Sequence, residues 1–314
     1  MDLFPPVETH ASGMLEVGDG HSLYWEVSGN PSGPVVLFVH GGPGAGTAPT
    51  YRRFFDPGFW RIVLFDQRGC GRSRPGSLID ANSTAHLVAD MESLRRHLGV
   101  KRWLLFGGSW GSTLALAYGQ AHPSRCTGFV LRGVFLFRPH EVEWFLSGMG
   151  HFFPEAWRRF MGFLPVTERG DVLAAYMRRL NDPDPLVHMP AAKAWCAYEE
   201  ACARLLPRDD GGAEAEGPGV LAMARIEAHY MVHGGFLEPD QLLVDLPRIA
   251  HLPAIIVQGR YDVICPPATA EELARSWPGA RLTILADAGH SAMETSTRMA
   301  LVEAVEEMKA RLSS

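Results

Sequence analysis

The chain has 314 residues, 46% hydrophobic and 20% charged, with 33 glycines and 23 prolines; this excludes a disordered, collagen-like or coiled-coil protein and allows a sizeable core. Lys and Arg number 29 against 35 Asp and Glu, a net charge of −6 with no basic run, which argues against nucleic acid as a partner. Five cysteines (Cys70, Cys126, Cys196, Cys202 and Cys265) form no C-x-x-C pair, so neither a disulfide framework nor a zinc site is expected, and reduced, mostly buried thiols are.

The first residues, Met1-Asp2-Leu3-Phe4-Pro5-Pro6, have no basic stretch followed by an apolar one, and no window reaches the roughly 18 apolar residues of a membrane span. No membrane association is expected, and a cytoplasmic location is the default. Residues 14–27 alternate apolar and polar around Gly18-Asp19-Gly20, which predicts an antiparallel hairpin at the edge of a sheet. Buried parallel strands are predicted at Val35–Val39 and at 62–65, 103–106, 129–131, 254–257 and 282–285, each a short apolar run bounded by Gly or Pro. Helical patterns fall between several of them, notably 85–98 and 112–122. The fold class is therefore α/β, a mostly parallel doubly wound sheet with helices on both faces. From 137 to 245 the strand rhythm stops and aromatics and helix formers dominate, which predicts an inserted helical cap with a surface loop at 208–219. The expected organisation is 1–136 and 246–314 as one domain, with 137–245 as the cap.

Gly107-Gly108-Ser109-Trp110-Gly111 follows one predicted strand and opens a helix. This is G-x-S-x-G in the setting where small residues permit a strained turn that lifts a serine hydroxyl above the sheet. A serine nucleophile needs a base, and the base an orienting carboxylate, in the chain order Ser, Asp, His. Asp262 and His290 follow the strands at 254–257 and 282–285, so both belong at carboxyl strand ends, where open α/β sheets bind ligands. His40-Gly41-Gly42-Pro43-Gly44 follows the strand Val35–Val39, and the backbone N–H groups of Gly42 and Trp110 are the candidate oxyanion hole. A phosphate loop is not supported, since no G-x-x-x-x-G-K-[ST] occurs. The 13 histidines are scattered without H-E-x-x-H, so no metal and no other cofactor is expected.

Together with Asp66-Gln67-Arg68-Gly69-Cys70-Gly71-Arg72-Ser73, Leu131-Arg132-Gly133-Val134-Phe135, Ala224-Arg225-Ile226-Glu227, Gly259-Arg260-Tyr261-Asp262 and Ala288-Gly289-His290-Ser291, these motifs resemble prolyl aminopeptidases (proline iminopeptidases), serine peptidases of the α/β-hydrolase fold. The resemblance spans nearly the whole chain. It implies release of N-terminal proline from short peptides with a free N-terminus, without metal or cofactor. It further implies that Glu199 and Glu227 bind the substrate ammonium, that Arg132 lies near those carboxylates, that Phe135 flanks the pyrrolidine ring, and that Phe145 stands at the amine end. Three positions depart from the family pattern: Tyr198 replaces a frequent Trp, Glu200 a frequent Gly, and Phe145 a frequent hydroxylated aromatic. Arg68 and Arg72 are expected to pair with backbone or acids, while Cys70 and Cys265 either pack or border the site. Two competing readings remain at this point, a carboxylesterase with an apolar cap pocket and a non-catalytic binding protein of the same fold.

Overall fold

The computed structural model describes residues 2–206 and 217–313. β1 (Thr9–Gly18) and β2 (His21–Gly29) form the expected antiparallel hairpin, longer at both ends than the alternation indicates. β3 (Val35–Val39), β4 (Arg61–Phe65), β5 (Trp103–Gly108), β6 (Cys126–Arg132), β7 (Ala254–Gly259) and β8 (Ala280–Leu285) complete an eight-stranded sheet of order β1-β2-β4-β3-β5-β6-β7-β8. β2 pairs antiparallel with β4, and every neighbouring pair from β4 to β8 is parallel.

Alternate strand residues serve opposite faces. Leu37, Val39, Val63, Phe65, Leu105, Leu131 and Ile256 pack beneath α1 (Thr84–His97) and α2 (Trp110–Ala121). Val36, Phe38, Ile62, Leu64, Leu104, Phe106, Val130 and Ile255 pack instead on Leu301, Val302, Val305 and Met308 of α10 (Thr295–Ser313). The central strands are thus buried on both sides, which is why they read as continuous apolar runs. α1 begins at Ser83, whose side chain accepts a hydrogen bond from the His86 N–H.

Between β6 and β7 the chain is helical. It forms α3 (Pro139–Leu146), α4 (Pro154–Gly162), α5 (Val172–Leu180), α6 (Pro185–Cys202), α7 (Pro218–Val232) and the single turn α8 (Gln241–Val244). Its aromatics are continuous with the core beneath α1 and α2: Phe160 stacks on Tyr176 and on Tyr198, both at 4.5 Å between centroids, with Trp195 edge-on at 5.6 Å. Pairs of this kind contribute about 0.5–1.5 kcal/mol each beyond their burial. Of the expected loop, 208–216 lie outside the described residues, and Pro218 and Gly219 open α7, where a proline suits the first helical turn. α9 (Pro267–Ser276) then packs beside β7 and β8.

Candidate active site

The β5–α2 turn fixes Ser109. Its φ of 57° and ψ of −130° lie outside the regions open to L-residues without strain, a cost of about 1–3 kcal/mol that only a tight surrounding structure sustains. That structure needs glycine on either side. A Cβ on Gly107 would strike the Gly111 carbonyl, and one on Gly111 would strike that of Val39. The turn is tied down by Ser109 N–H donating to Arg132 O at 2.9 Å and by Ser112 Oγ donating to Ser109 O at 2.7 Å. Ser109 Oγ makes no hydrogen bond among the described residues.

Asp262 and His290 meet as the strand-end placement predicts. His290 Nδ1 lies 2.8 Å from Asp262 Oδ2 and 3.0 Å from Oδ1. The carboxylate is aimed by two further donors, Cys265 N–H at 2.8 Å and Gln258 Nε2 at 3.2 Å. Gly133 lies under the pair; a Cβ there would stand 3.0 Å from His290 Cε1 and 3.2 Å from Asp262 Oδ2, at a φ of 52°. Arg132 differs from expectation. Its hydrogen bonds run to His290 rather than to either glutamate: Nη1 donates to Nε2 at 3.1 Å and to the His290 carbonyl at 2.7 Å. The reason is register, because Arg132 pairs with Gly108 across β5 and β6 and its guanidinium crosses that glycine toward the β8 end of the sheet.

The loop at His40–Gly44 is set against Trp110 by Gln67. Its Nε2 donates to His40 O at 3.0 Å, its Oε1 accepts from Trp110 Nε1 at 2.8 Å, and its N–H donates to His40 Nε2 at 3.0 Å. Gln67 is fully buried. Nearby, Arg68 pairs with Asp90 at 2.7 Å and Arg72 with Asp66 at 2.9 Å, so both arginines are engaged with acids, as expected. α7 covers this loop. Met223 Sδ lies 3.2 Å from the position of a Cβ on Gly42, and Tyr230 meets the Trp110 ring at 4.7 Å. Positions 223, 227 and 230 share one helix face, so Glu227 faces the same loop.

Glu227 is 3% exposed, and its Oε2 accepts from Trp195 Nε1 at 2.6 Å. Glu199, on α6, hydrogen-bonds to it. Burial pushes both carboxyls above the usual carboxylate range, with the charge of Glu200 adding to the rise at Glu199, which reaches about 7, and the charge of Glu199 adding to it at Glu227, so the pair holds a proton that two isolated glutamates would have lost. Glu200 points away, half exposed, toward Arg204 at 3.8 Å. Phe145 and Tyr198 belong to the aromatic core: Phe145 packs on Trp195 at 5.6 Å, and Tyr198 Oη donates to Phe145 O at 3.1 Å. Phe135 is buried against Phe137 at 4.7 Å, and its N–H donates to Ser112 Oγ, which holds it above the start of α2.

The five cysteines are free and buried. Burial raises the Cys265 thiol well above its ordinary range, so the residue beside Asp262 is not a poised nucleophile. Sequence reasoning passed over three residues. Gln67 sits inside a motif read as a structural loop, and Gln258 directly precedes Gly259-Arg260-Tyr261-Asp262. Glu294, four residues beyond His290, accepts from Gly289 N–H and Leu205 N–H, both at 2.8 Å, and so joins the His290 loop to the segment after α6. For Gln67, adjacency to Asp66 and Arg68 was a usable signal; for Glu294 the sequence carries none. Among the described residues no group of His, Cys, Asp and Glu could hold a metal ion. No helix of the described residues is long and apolar enough to cross a membrane.

Residues 34–297 match the family model of the α/β-hydrolase fold. The chain is 51% identical over 312 residues to a proline iminopeptidase of Arabidopsis thaliana, covering 98% of this chain and 82% of that one. It is 46% identical over 304 residues to a proline iminopeptidase of Neisseria gonorrhoeae, covering 96% and 97%. Among solved structures it resembles a putative lipase from Acinetobacter baumannii (TM-score 0.62, 16% identity, 98% of this chain and 93% of that one). It also resembles a proline iminopeptidase-related protein from Thermus thermophilus (TM-score 0.58, 23% identity, 96% and 97%). At such identities the solved structures speak to the fold alone.

Proposed function

Since this chain belongs to the proline iminopeptidase family of α/β hydrolases, and is thus an aminopeptidase, we propose that Ser109, His290 and Asp262 carry out the cleavage, with the N–H groups of Gly42 and Trp110 as the oxyanion hole. Ser109 Oγ attacks the carbonyl of the first residue while His290 Nε2 takes its proton. The same proton then passes to the departing amine, and water repeats the sequence on the acyl-enzyme. Asp262 holds Nδ1 as the donor, so that Nε2 is free to accept. The negative oxygen of each tetrahedral intermediate falls to the two N–H groups, each worth a factor of about 10²–10³ in kcat. The helices of 137–245 act as a cap that limits the site to a chain end. Five free thiols fit a reducing, cytoplasmic setting.

The observation that favours an amine-anchored substrate is the Glu199–Glu227 pair, two carboxyls sunk beside each other above the Gly42 loop. An esterase pocket would be apolar there, and burying two acids without a cation to receive is expensive. Phe135 and Phe145 supply apolar surface at the same end of the site. The test compares prolyl arylamide with its N-acetyl form and with a butyrate ester. The free-amine substrate should lead by about 100-fold or more in kcat/KM, the equivalent of one desolvated ion pair. Equal or faster turnover of the blocked amide or the ester would refute the amine anchor and return the chain to the esterase reading.

Gln67 is a positioning residue for the oxyanion donors, because one side chain joins the carbonyl of His40 to the indole of Trp110. Gln67→Ala should lower kcat by about tenfold, a fraction of the loss of one donor, with KM nearly constant. Affinity for a prolinal-type aldehyde, which needs the oxyanion hole, should fall in parallel while affinity for proline stays. A change confined to KM would show that Gln67 serves the pocket and not the hole.

A further inference from the structure

A cavity of about 60 Å³ lies against Gly41 and Gly108, next to the Ser109 turn; Tyr51 and Arg132 stand in its wall, and the rest is chiefly apolar, with Phe38, Phe106 and Leu301. Ala45, at its rim, is exposed. Arg132 lies deep among protein atoms yet keeps part of its surface open, and it contributes to the wall of this cavity. It has no carboxylate partner within ion-pair distance among the described residues, and its Nε has no hydrogen-bond partner. The acids that influence it electrostatically are committed elsewhere. Asp262 accepts from His290, Cys265 and Gln258, and Glu294 accepts from Gly289 and Leu205. A guanidinium this deep without an anion is costly, and the natural remedy is an anion supplied from outside.

The position says which anion. In the proposed mechanism the departing nitrogen takes its proton from His290 Nε2, and Arg132 Nη1 stands 3.1 Å from that atom. In a dipeptide the departing nitrogen and the terminal carboxylate carbon are joined through one Cα and lie about 2.5 Å apart. A carboxylate on the leaving residue therefore reaches Arg132 when its nitrogen reaches Nε2. The cavity has room for more than one water-sized group, enough for a carboxylate set against Arg132.

We propose that Arg132 and the cavity it lines form the leaving-side subsite for a free carboxylate, so that the preferred substrates are prolyl dipeptides. The proposal builds on the aminopeptidase mechanism above. It also accounts for the engagement of Nε2. One imidazole lone pair cannot accept from Arg132 and Ser109 together, and a substrate carboxylate that draws the guanidinium away leaves Nε2 to the serine.

The experiment measures kcat/KM for Pro-Ala, Pro-Ala amide and Pro-Ala-Ala, in the unaltered protein and in Arg132→Gln. Expected is a preference of at least tenfold for Pro-Ala over its amide and over Pro-Ala-Ala, with the acid-to-amide ratio near one in Arg132→Gln. Should that variant fail to fold, Ala292→Glu places a competing carboxylate in the cavity wall and should cut the ratio at least fivefold. A ratio near one in the unaltered protein overturns the proposal, as does a ratio that survives Arg132→Gln. Failure of the aminopeptidase reading looks different: neither dipeptide nor amide would be cleaved while the butyrate ester was.

Discussion

Ser109→Ala should lower kcat/KM for prolyl arylamides by about 10⁴- to 10⁶-fold, since a triad without its nucleophile keeps only what binding and the oxyanion hole provide. Stability should hardly move. Ser109 Oγ has no hydrogen-bond partner among the described residues, so its removal orphans none of them, and the strained φ of 57° is imposed by Gly107, Gly111 and the Arg132 carbonyl rather than by the hydroxyl. Thermal unfolding and labelling by a fluorophosphonate, read side by side, give the check. An unchanged Tm with labelling abolished is the expected result, and a variant that retained more than about 1% of activity would remove Ser109 from the nucleophile's role.

The second large effect belongs to Glu227→Gln, a change of one atom. Trp195 Nε1 keeps an oxygen to donate to, so packing is preserved, but the pair loses the carboxyl that ionises against a substrate ammonium. Loss of one partner of a buried ion pair costs about 3–5 kcal/mol, or roughly 10²- to 10⁴-fold in kcat/KM, for free-amine substrates alone. The N-acetyl amide should be unaffected. Stability should change in the opposite sense. Glu199 and Glu227 titrate higher in the folded protein than in the unfolded chain, so between the ordinary carboxylate range and their raised one the unfolded chain holds fewer protons. Folding stability then falls as pH rises through that interval. Glu227→Gln removes one acid and should flatten the decline, giving a higher Tm than the unaltered protein at pH 8. Added proline, whose ammonium pairs with the carboxylates, should recover the loss only when Glu227 is present. A Tm lower in Glu227→Gln than in the unaltered protein at pH 8 would mean that the pair stabilises the fold as built.

Most of the sheet was legible because each strand is a short apolar run between Gly or Pro, and both faces of the sheet are covered. Ends were less so: α1 and α2 each run a residue or two away from the predicted spans, since cap geometry and the strained Ser109 turn fix the first turn rather than apolar spacing. The approach of Asp262 to His290 followed from strand-end positions alone. The direction of Arg132 did not. A residue at the end of β6 can reach either neighbouring strand, and only the glycine at position 108 opens the path its guanidinium takes. Gln67, Gln258 and Glu294 were hidden for a related reason. Each works by linking backbone groups from separate segments, and such linkage leaves no periodicity to read.

β6 and β7 are hydrogen-bonded neighbours, yet 121 residues (133–253) lie between them in the chain. In kinetic terms this is the costliest pairing in the sheet, because so long an excursion must close before any of its contacts reward it. β1 to β6, with Ser109 already in its turn, form from more local contacts and can collapse first. Asp262 and His290 arrive only with β7 and β8. A refolding experiment should therefore show secondary structure returning ahead of peptidase activity, with the interval set by docking of the helical excursion. Such an order keeps the half-built chain from acting on the peptides around it.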